Sequence, residues 1–223
     1  MPWTAELWTY KGDLAGAKYE LTQQIERLLL RTKCQAMKVA LSDMRGNFRK
    51  EVSSDYKSNR THISRPVLFA ALRDVLRNQY QAVVLPRLEG DDLVSMWATE
   101  PGMDTVVCSI DKDCRGIPGV LYNPMKDSFL DVSAEEADRF FLSQVLTGDR
   151  VDGYVGCPGI GPKRAAGLMA NVPTADLWHA VIVPAYQTAG LSESTALRNA
   201  RCARLLRHGE YNPATGEVKL WEP

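Results

Sequence analysis

The sequence predicts an α/β protein with a mainly parallel central sheet flanked by helices. Three observations carry that expectation. Short apolar runs alternate with helical patterns along the first two thirds of the chain. Acidic residues gather just behind those runs, and after Asp149 the chain turns to Gly/Pro-rich turns and short helices.

The elements follow in order. Trp3 to Lys33 reads as a helix, with Leu7, Leu14, Ala17, Leu21, Ile25, Leu28 and Leu29 mostly at helical spacing. Met37–Asp43 reads as a short buried strand ending in a carboxylate. Residues 44–65 are polar, basic and rich in Ser and Asn, the composition of a long exposed loop or mobile helical segment. Pro66 is suited to a first helical turn and opens a helix to Tyr80, and Gln81–Leu85 is a second strand. Helix Asp91–Glu100 follows Gly90, and Thr105–Ile110 is the clearest strand. Ser133 and Glu136 form a capping box for a helix over Ala134–Thr147. Helices near Thr174–Gln187 and Glu193–Arg207 close the chain.

With 223 residues and 45% hydrophobic composition, the chain can bury a core without staples and is neither disordered nor collagen-like. No apolar run approaches the roughly 18–20 residues of a membrane span, and the start lacks a signal-peptide pattern. Five cysteines without a CxxC pair read as reduced thiols in a cytoplasmic compartment, not as a zinc site. His62, His179 and His208 show no catalytic spacing, and Met96, Trp97, Trp178 and Cys157 read as packing residues.

Net charge is zero, but its distribution is uneven: +5 over 45–77, −9 over 89–152 and +4 over 163–207. An acidic centre between basic flanks suggests divalent cations in the middle and a polyanion gripped from two sides; the plainer reading is clustering on solvated faces. The acids fall in groups: Asp43; Glu89, Asp91 and Asp92; Asp111 and Asp113; Asp149 and Asp152. In a parallel sheet the C-terminal strand ends share one edge, so the first three groups converge. The two-residue spacings aim paired carboxylates to one side of an extended segment, and the three-residue spacing of Asp149 and Asp152 does so on a helical turn. Singly, each group also reads as a cap or a turn former. Together they would repel unless cations neutralise them, and all-oxygen acidic sites suit Mg²⁺ or Mn²⁺. Two such ions about 4 Å apart form the usual clamp for phosphodiester cleavage.

The segment Gly156-Cys-Pro-Gly-Ile-Gly-Pro-Lys-Arg-Ala-Ala166 is the most specific in the chain. Gly159 and Gly161 permit a tight hairpin, Pro162 suits a first helical position, and Lys163 and Arg164 follow. Free amides at such a helix start hold a phosphate without reading a base.

Glu89-Gly-Asp-Asp, Ser109-Ile-Asp-Lys-Asp, Gly148-Asp-Arg-Val-Asp-Gly-Tyr and Cys157-Pro-Gly-Ile-Gly-Pro-Lys occur in the order found in the 5′→3′ exonuclease and flap endonuclease family. Phe48-Arg-Lys-Glu and Tyr56-Lys-Ser-Asn-Arg60 resemble that family's basic arch. Ala203-Arg-Leu-Leu-Arg, Glu210-Tyr-Asn and Leu220-Trp-Glu-Pro resemble the tail of short-tailed coliphage-type exonucleases. The resemblance spans nearly the whole chain. It implies a PIN-like 5′-nuclease core over 1–145, with an arch at 44–65, and a C-terminal helix–three-turn–helix region over 146–223.

The resemblance further implies hydrolysis of DNA, or of an RNA–DNA hybrid, from a 5′ end or at a 5′ flap. It assigns Glu89, Asp91, Asp111 and Asp113 to the catalytic metals, with Asp43 and Asp92 beside them and Asp149 and Asp152 completing the second metal region. Lys57 and Arg60 match residues that steer the scissile phosphate, and Tyr56 matches an aromatic that stacks near the terminal nucleotide. Arg49 and Lys50 belong to the DNA-binding arch. Gly159, Gly161, Lys163 and Arg164 match the hairpin that grips duplex backbone, often with K⁺. The implied chemistry is two-metal hydrolysis by a cytoplasmic, monomeric protein with no membrane partner.

Family members begin with a buried strand ending in a metal-binding Asp, and helix 3–33 matches the segment behind it. The expectation is therefore a sheet without its central strand and a site short of one ligand, for which Asp13, inside the helical pattern, is no substitute. That leaves a rival reading, a branched-DNA-binding fragment impaired in catalysis. A second rival, a ribonuclease of the related small acidic-site fold, explains the carboxylates but neither the hairpin nor the arch.

Overall fold

The computed structural model describes residues 12–60 and 65–223. The first part of the predicted opening helix, 3–11, and His62 lie outside the described residues. Helix α1 spans Leu14–Thr32, and Asp13 is its N-cap, accepting from the amides of Ala15 and Gly16 at 3.0 and 3.1 Å. Asp13 therefore caps the helix and is not inside it. Ala17, Leu21, Ile25 and Leu28 are its buried residues, and the first three pack with Leu72, Val75 and Leu76 of α3, Phe69–Tyr80. Helix α3 starts three residues later than predicted, because Pro66 sits in a preceding turn whose carbonyl accepts from the Phe69 amide.

The described residues of the arch-like segment include a short helix α2, Arg49–Val52, and a 3₁₀ turn, Ser58–Arg60. The strands predicted at 37–43 and 81–85 are reduced to a single parallel bridge, Ala40–Val83. Its bonds run from Leu41 N to Val83 O at 2.9 Å and from Val83 N to Val39 O at 2.8 Å. Among the described residues no ladder joins this bridge to the main sheet, so neither segment has a second neighbour to extend it. The main sheet is mixed, not mainly parallel as expected, because a short turn joins its last two strands into an antiparallel pair. Strand β1, Val106–Cys108, runs parallel to β2, Gly119–Asn123, which pairs antiparallel with β3, Ser128–Val132. The β2–β3 hairpin is absent from the sequence reading. Its signal was the Asn123-Pro124 turn between two apolar runs; Asn123 Oδ1 accepts from the amides of Met125 and Lys126.

Helix α4, Gly90–Ala98, carries the Glu89 group, and α5, Ala134–Thr147, starts with the predicted Ser133–Glu136 capping box. After α5 come a two-rung hairpin, β4 Gly148–Asp149 and β5 Tyr154–Val155, and then α6, Pro162–Met169, with Pro162 in its first turn. The predicted helix near 174–187 is a 3₁₀ turn, a π turn Trp178–Ile182 and α7, Val183–Thr188. Helix α8, Glu193–Ala203, ends four residues early, where Arg204 becomes extended. The tail adds a small hairpin, β6 Tyr211–Asn212 and β7 Glu217–Val218.

The largest core cluster joins α5 to α6, α7 and α8 through Phe141, Val145, Leu146, Ala165, Trp178, Ile182, Tyr186 and Ala200. Trp178 and Cys157 are buried there, as expected of packing residues. Among the described residues no helix is long and apolar enough to cross a membrane.

Candidate active site

Two ionic groupings form around the acidic motifs. In the first, Glu89 caps α4 and faces the arch. Its Oε1 accepts from Lys57 Nζ at 2.5 Å, and its Oε2 accepts from the Tyr56 hydroxyl at 2.7 Å and from Arg49 Nη1 at 3.5 Å. Asp152 closes the group: its Oδ1 takes Arg60 Nη2 at 2.6 Å and its Oδ2 takes the Tyr56 hydroxyl at 3.2 Å. Lys57 Nζ lies 3.6 Å from Asp152, and the Lys57 amide donates to the Asp152 carbonyl at 2.8 Å. Lys57 holds a left-handed backbone, φ 52°, uncommon for a side-chain-bearing residue. Burial works to raise the Glu89 carboxyl, but Arg49 and Lys57 outweigh it and hold it down at about 2.

In the second grouping, Lys112 Nζ bridges Asp113 at 2.8 Å and Asp149 at 2.6 Å. Gln144 Nε2, from the buried side of α5, donates to Asp113 at 2.6 Å. Asp149 is in β4, not on a helical turn, and its Oδ1 accepts from the amides of Val151 and Asp152. This turn within the hairpin, not a helix, is what relates Asp149 to Asp152. Asp111 is exposed behind β1 and caps the 3₁₀ turn Lys112–Gly116 by accepting from the Asp113 amide. Asp91 lies in the first turn of α4, so neither two-residue pair sits on the extended segment that spacing suggested. Burial, with Asp111, Glu89 and Asp92 adding repulsion, pushes the Asp91 carboxyl up to about 7.

Four expected residues are placed otherwise. Asp92 is fully buried, and both its oxygens are taken by Arg49 at 2.7 Å each and by the amides of Glu89 and Leu206. It is a counter-ion to Arg49 with no acceptor turned to a cation. Asp43 gives its oxygens to the amides of Arg45 and Arg87 and so belongs to the Arg87 turn. Tyr56 is 2% exposed with its hydroxyl on Glu89, so its ring is not open for stacking. Arg49 is buried too, whereas Lys50 is exposed. Sequence reasoning missed Lys112 and Gln144; Gln144 was legible as a polar residue on the inward face of an amphipathic helix.

Among the described residues no three of these side chains are drawn close enough to hold one ion as they stand; lysines bridge the carboxylates instead. The donor chemistry nonetheless fits a hard divalent cation. The donors are all carboxylate oxygens, the ligand type that hard divalent cations take. At the hairpin, Gly159 takes φ 75°, Gly161 caps α6, and Lys163 and Arg164 stand exposed, with Arg164 Nη1 reaching the Gly159 carbonyl at 3.3 Å.

Residues 3–119 match the 5′-3′ exonuclease N-terminal resolvase-like domain, just over half of the chain. The chain belongs to the 5′-3′ exonuclease family, a family of hydrolases. It is 30% identical to the exodeoxyribonuclease of Enterobacteria phage T3 and 29% identical to the exonuclease of Escherichia phage T7. These alignments cover 99% of this chain and 85% and 86% of the respective relatives. Its fold is that of a T5 5′-exonuclease solved with bound zinc, at TM-score 0.72, 16% identity and coverage of 92% of this chain and 86% of that one. A T5 flap endonuclease solved as a pseudo-enzyme–product complex with DNA and metal ions superposes at TM-score 0.69, with 17% identity over 84% of this chain and 80% of that one. The expected α/β, PIN-like nuclease fold is therefore the observed one.

Proposed function

We propose that this chain is a divalent-metal-dependent nuclease that hydrolyses DNA phosphodiesters from a 5′ end or at a 5′ flap. The observation that carries the reading is the joining of the arch to the acid edge: Lys57, Tyr56 and Arg60 meet Glu89 and Asp152 in one ionic group. Metal-bound and DNA-bound neighbours of the same fold support it.

Glu89, Asp91, Asp111, Asp113, Asp149 and Asp152 are the residues proposed to hold two Mg²⁺ or Mn²⁺ ions. Bound there, the ions would polarise the scissile phosphodiester and offset charge that develops in its cleavage. Lys57 and Arg60 carry donors that reach a phosphate once released from Glu89 and Asp152. Tyr56 holds the Glu89 and Asp152 carboxylates in fixed relation through one hydroxyl. Gly159, Gly161, Lys163 and Arg164 are proposed to grip the duplex backbone as a helix–three-turn–helix element that takes K⁺, with Lys50 meeting DNA from the arch. The division at residue 145 is proposed to fall between a nuclease core that carries the arch and a helix–three-turn–helix region that also contributes Asp149 and Asp152 to the metal site.

The test is cleavage of 5′-labelled duplex and flap DNA in Mg²⁺ or EDTA, beside Asp111→Ala. Cleavage that needs metal and is lost in the variant supports the reading. Salt-sensitive binding to branched DNA without cleavage would replace it with the binding-fragment reading.

A further inference from the structure

Arg49 occupies the meeting point of three elements that are distant in sequence. Its side chain is 1% exposed, and every guanidinium N–H has an acceptor. Nε donates to the Cys202 carbonyl at 2.9 Å, and Nη2 donates to the Arg204 carbonyl at 2.6 Å and to Asp92 Oδ1 at 2.7 Å. Nη1 donates to Asp92 Oδ2 at 2.7 Å and to Glu89 Oε2 at 3.5 Å. The Phe48 ring lies 4.5 Å from the guanidinium carbon. Asp92 completes the circuit by accepting from the Leu206 amide at 3.3 Å and the Glu89 amide at 3.2 Å. One fork thus binds the base of the arch, the start of α4 and the end of α8.

We infer that Arg49 is a positioning residue: it makes the aim of Glu89 depend on the seating of segment 202–206. The inference deepens the nuclease reading and rests on it. Two alternatives predict different behaviour. A residue that contacts DNA from the arch acts on substrate affinity. A residue that only knits the fold acts on stability and leaves the carboxylate alone. The geometry separates them, because the guanidinium is closed to solvent yet reaches Glu89 itself. A lysine cannot reproduce the arrangement. Its ammonium offers three donors without a planar fork, so it cannot serve Asp92 with two parallel bonds while also serving both carbonyls and Glu89.

The experiment uses the full chain carrying Arg49→Lys. Thermal unfolding reports folding, hydrogen exchange reports the 202–206 amides, and calorimetric titration with Ca²⁺ alone reports cation affinity. Cleavage of 5′-labelled duplex in Mg²⁺ gives kcat and KM. The expected result is a folded protein with faster exchange at 202–206. Outer partners of metal-binding carboxylates typically control 10- to 100-fold in affinity or activity. Ca²⁺ affinity and kcat are therefore expected to fall by about that factor, with KM for DNA within about two-fold. Faster exchange with unchanged Ca²⁺ affinity and unchanged kcat would overturn the inference in favour of a purely structural role. A raised KM with unchanged kcat would overturn it in favour of a DNA contact. If Arg49→Lys does not fold, Arg49→Met with Asp92→Leu removes both charges together and leaves neither buried alone. A folded double variant with wild-type kcat then refutes the inference. A wild-type chain that neither cleaves nor binds Ca²⁺ removes the nuclease reading first, and this inference with it.

Discussion

Gly148→Ala is the sharpest stability prediction. Gly148 ends α5 and starts β4, one residue before Asp149, with φ 69° and ψ 176°. That backbone region is open essentially to glycine, and a side chain there costs about 1–3 kcal/mol. A Cβ would also press into the backbone of the facing strand. It would lie 2.9 Å from the Tyr154 carbonyl oxygen and 3.0 Å from Gly156 Cα, with the Gly156 nitrogen nearer still. Overpacking against backbone adds about 1–3 kcal/mol. The sum centres near 4 kcal/mol, a large part of the roughly 5–15 kcal/mol that holds such a domain together. At about 2–4 °C per kcal/mol for this chain length, Tm should fall by about 8–16 °C. The control is Gly190→Ala, where φ is 74° but nothing lies within 4 Å of the added carbon. It carries the backbone strain without the collision and should lose only about 1 kcal/mol. Paired thermal melts decide the matter. If Gly148→Ala loses no more stability than Gly190→Ala, the close approach of the two strands under Asp149 is not as argued.

Three further outcomes are expected. Tyr186 is fully buried, donates to the Val145 carbonyl at 2.6 Å, and is pushed up to about 12 by burial. Its raised pKa contributes stability that is complete below pH 10 and is lost as pH climbs from 10 towards 12. Urea melts of Tyr186→Phe should fall less steeply across that window than those of wild type, and identical slopes would contradict the assignment. Lys112→Met removes the cation between Asp113 and Asp149. Tm in EDTA should drop, and added Ca²⁺ should raise it by more than in wild type; an equal rise would show that the ammonium is not their counter-ion. Lys163→Ala with Arg164→Ala should raise KM for duplex, leave kcat near wild type and flatten the salt dependence by about one to two phosphate contacts. An unchanged salt slope would take the hairpin out of the DNA interface.

Much of this protein was legible in the residue pattern. Caps and turns are local chemistry, so Ser133 with Glu136, and Gly159 to Pro162, were placed by their own side chains and backbone freedom. The acidic motifs and the hairpin, taken in order, carried the family. What spacing could not settle was which carboxylates face a common space, because that depends on partners far away in sequence. Asp92 is one residue from Asp91, yet Arg49 and the Leu206 amide consume it. Asp43 ends the segment that bridges to Val83, yet the amides of Arg45 and Arg87 take one of its oxygens each. Arg49 and Tyr56 sit in a basic, polar stretch that reads as exposed, and the tertiary structure buries both against Glu89 and the end of α8. Lys112, between two acids, reads as an ordinary surface residue until the β4–β5 hairpin brings Asp149 to it. Local propensity determined where helices and turns begin. Long-range packing decided which of the charged residues remain free to meet a cation or a phosphate.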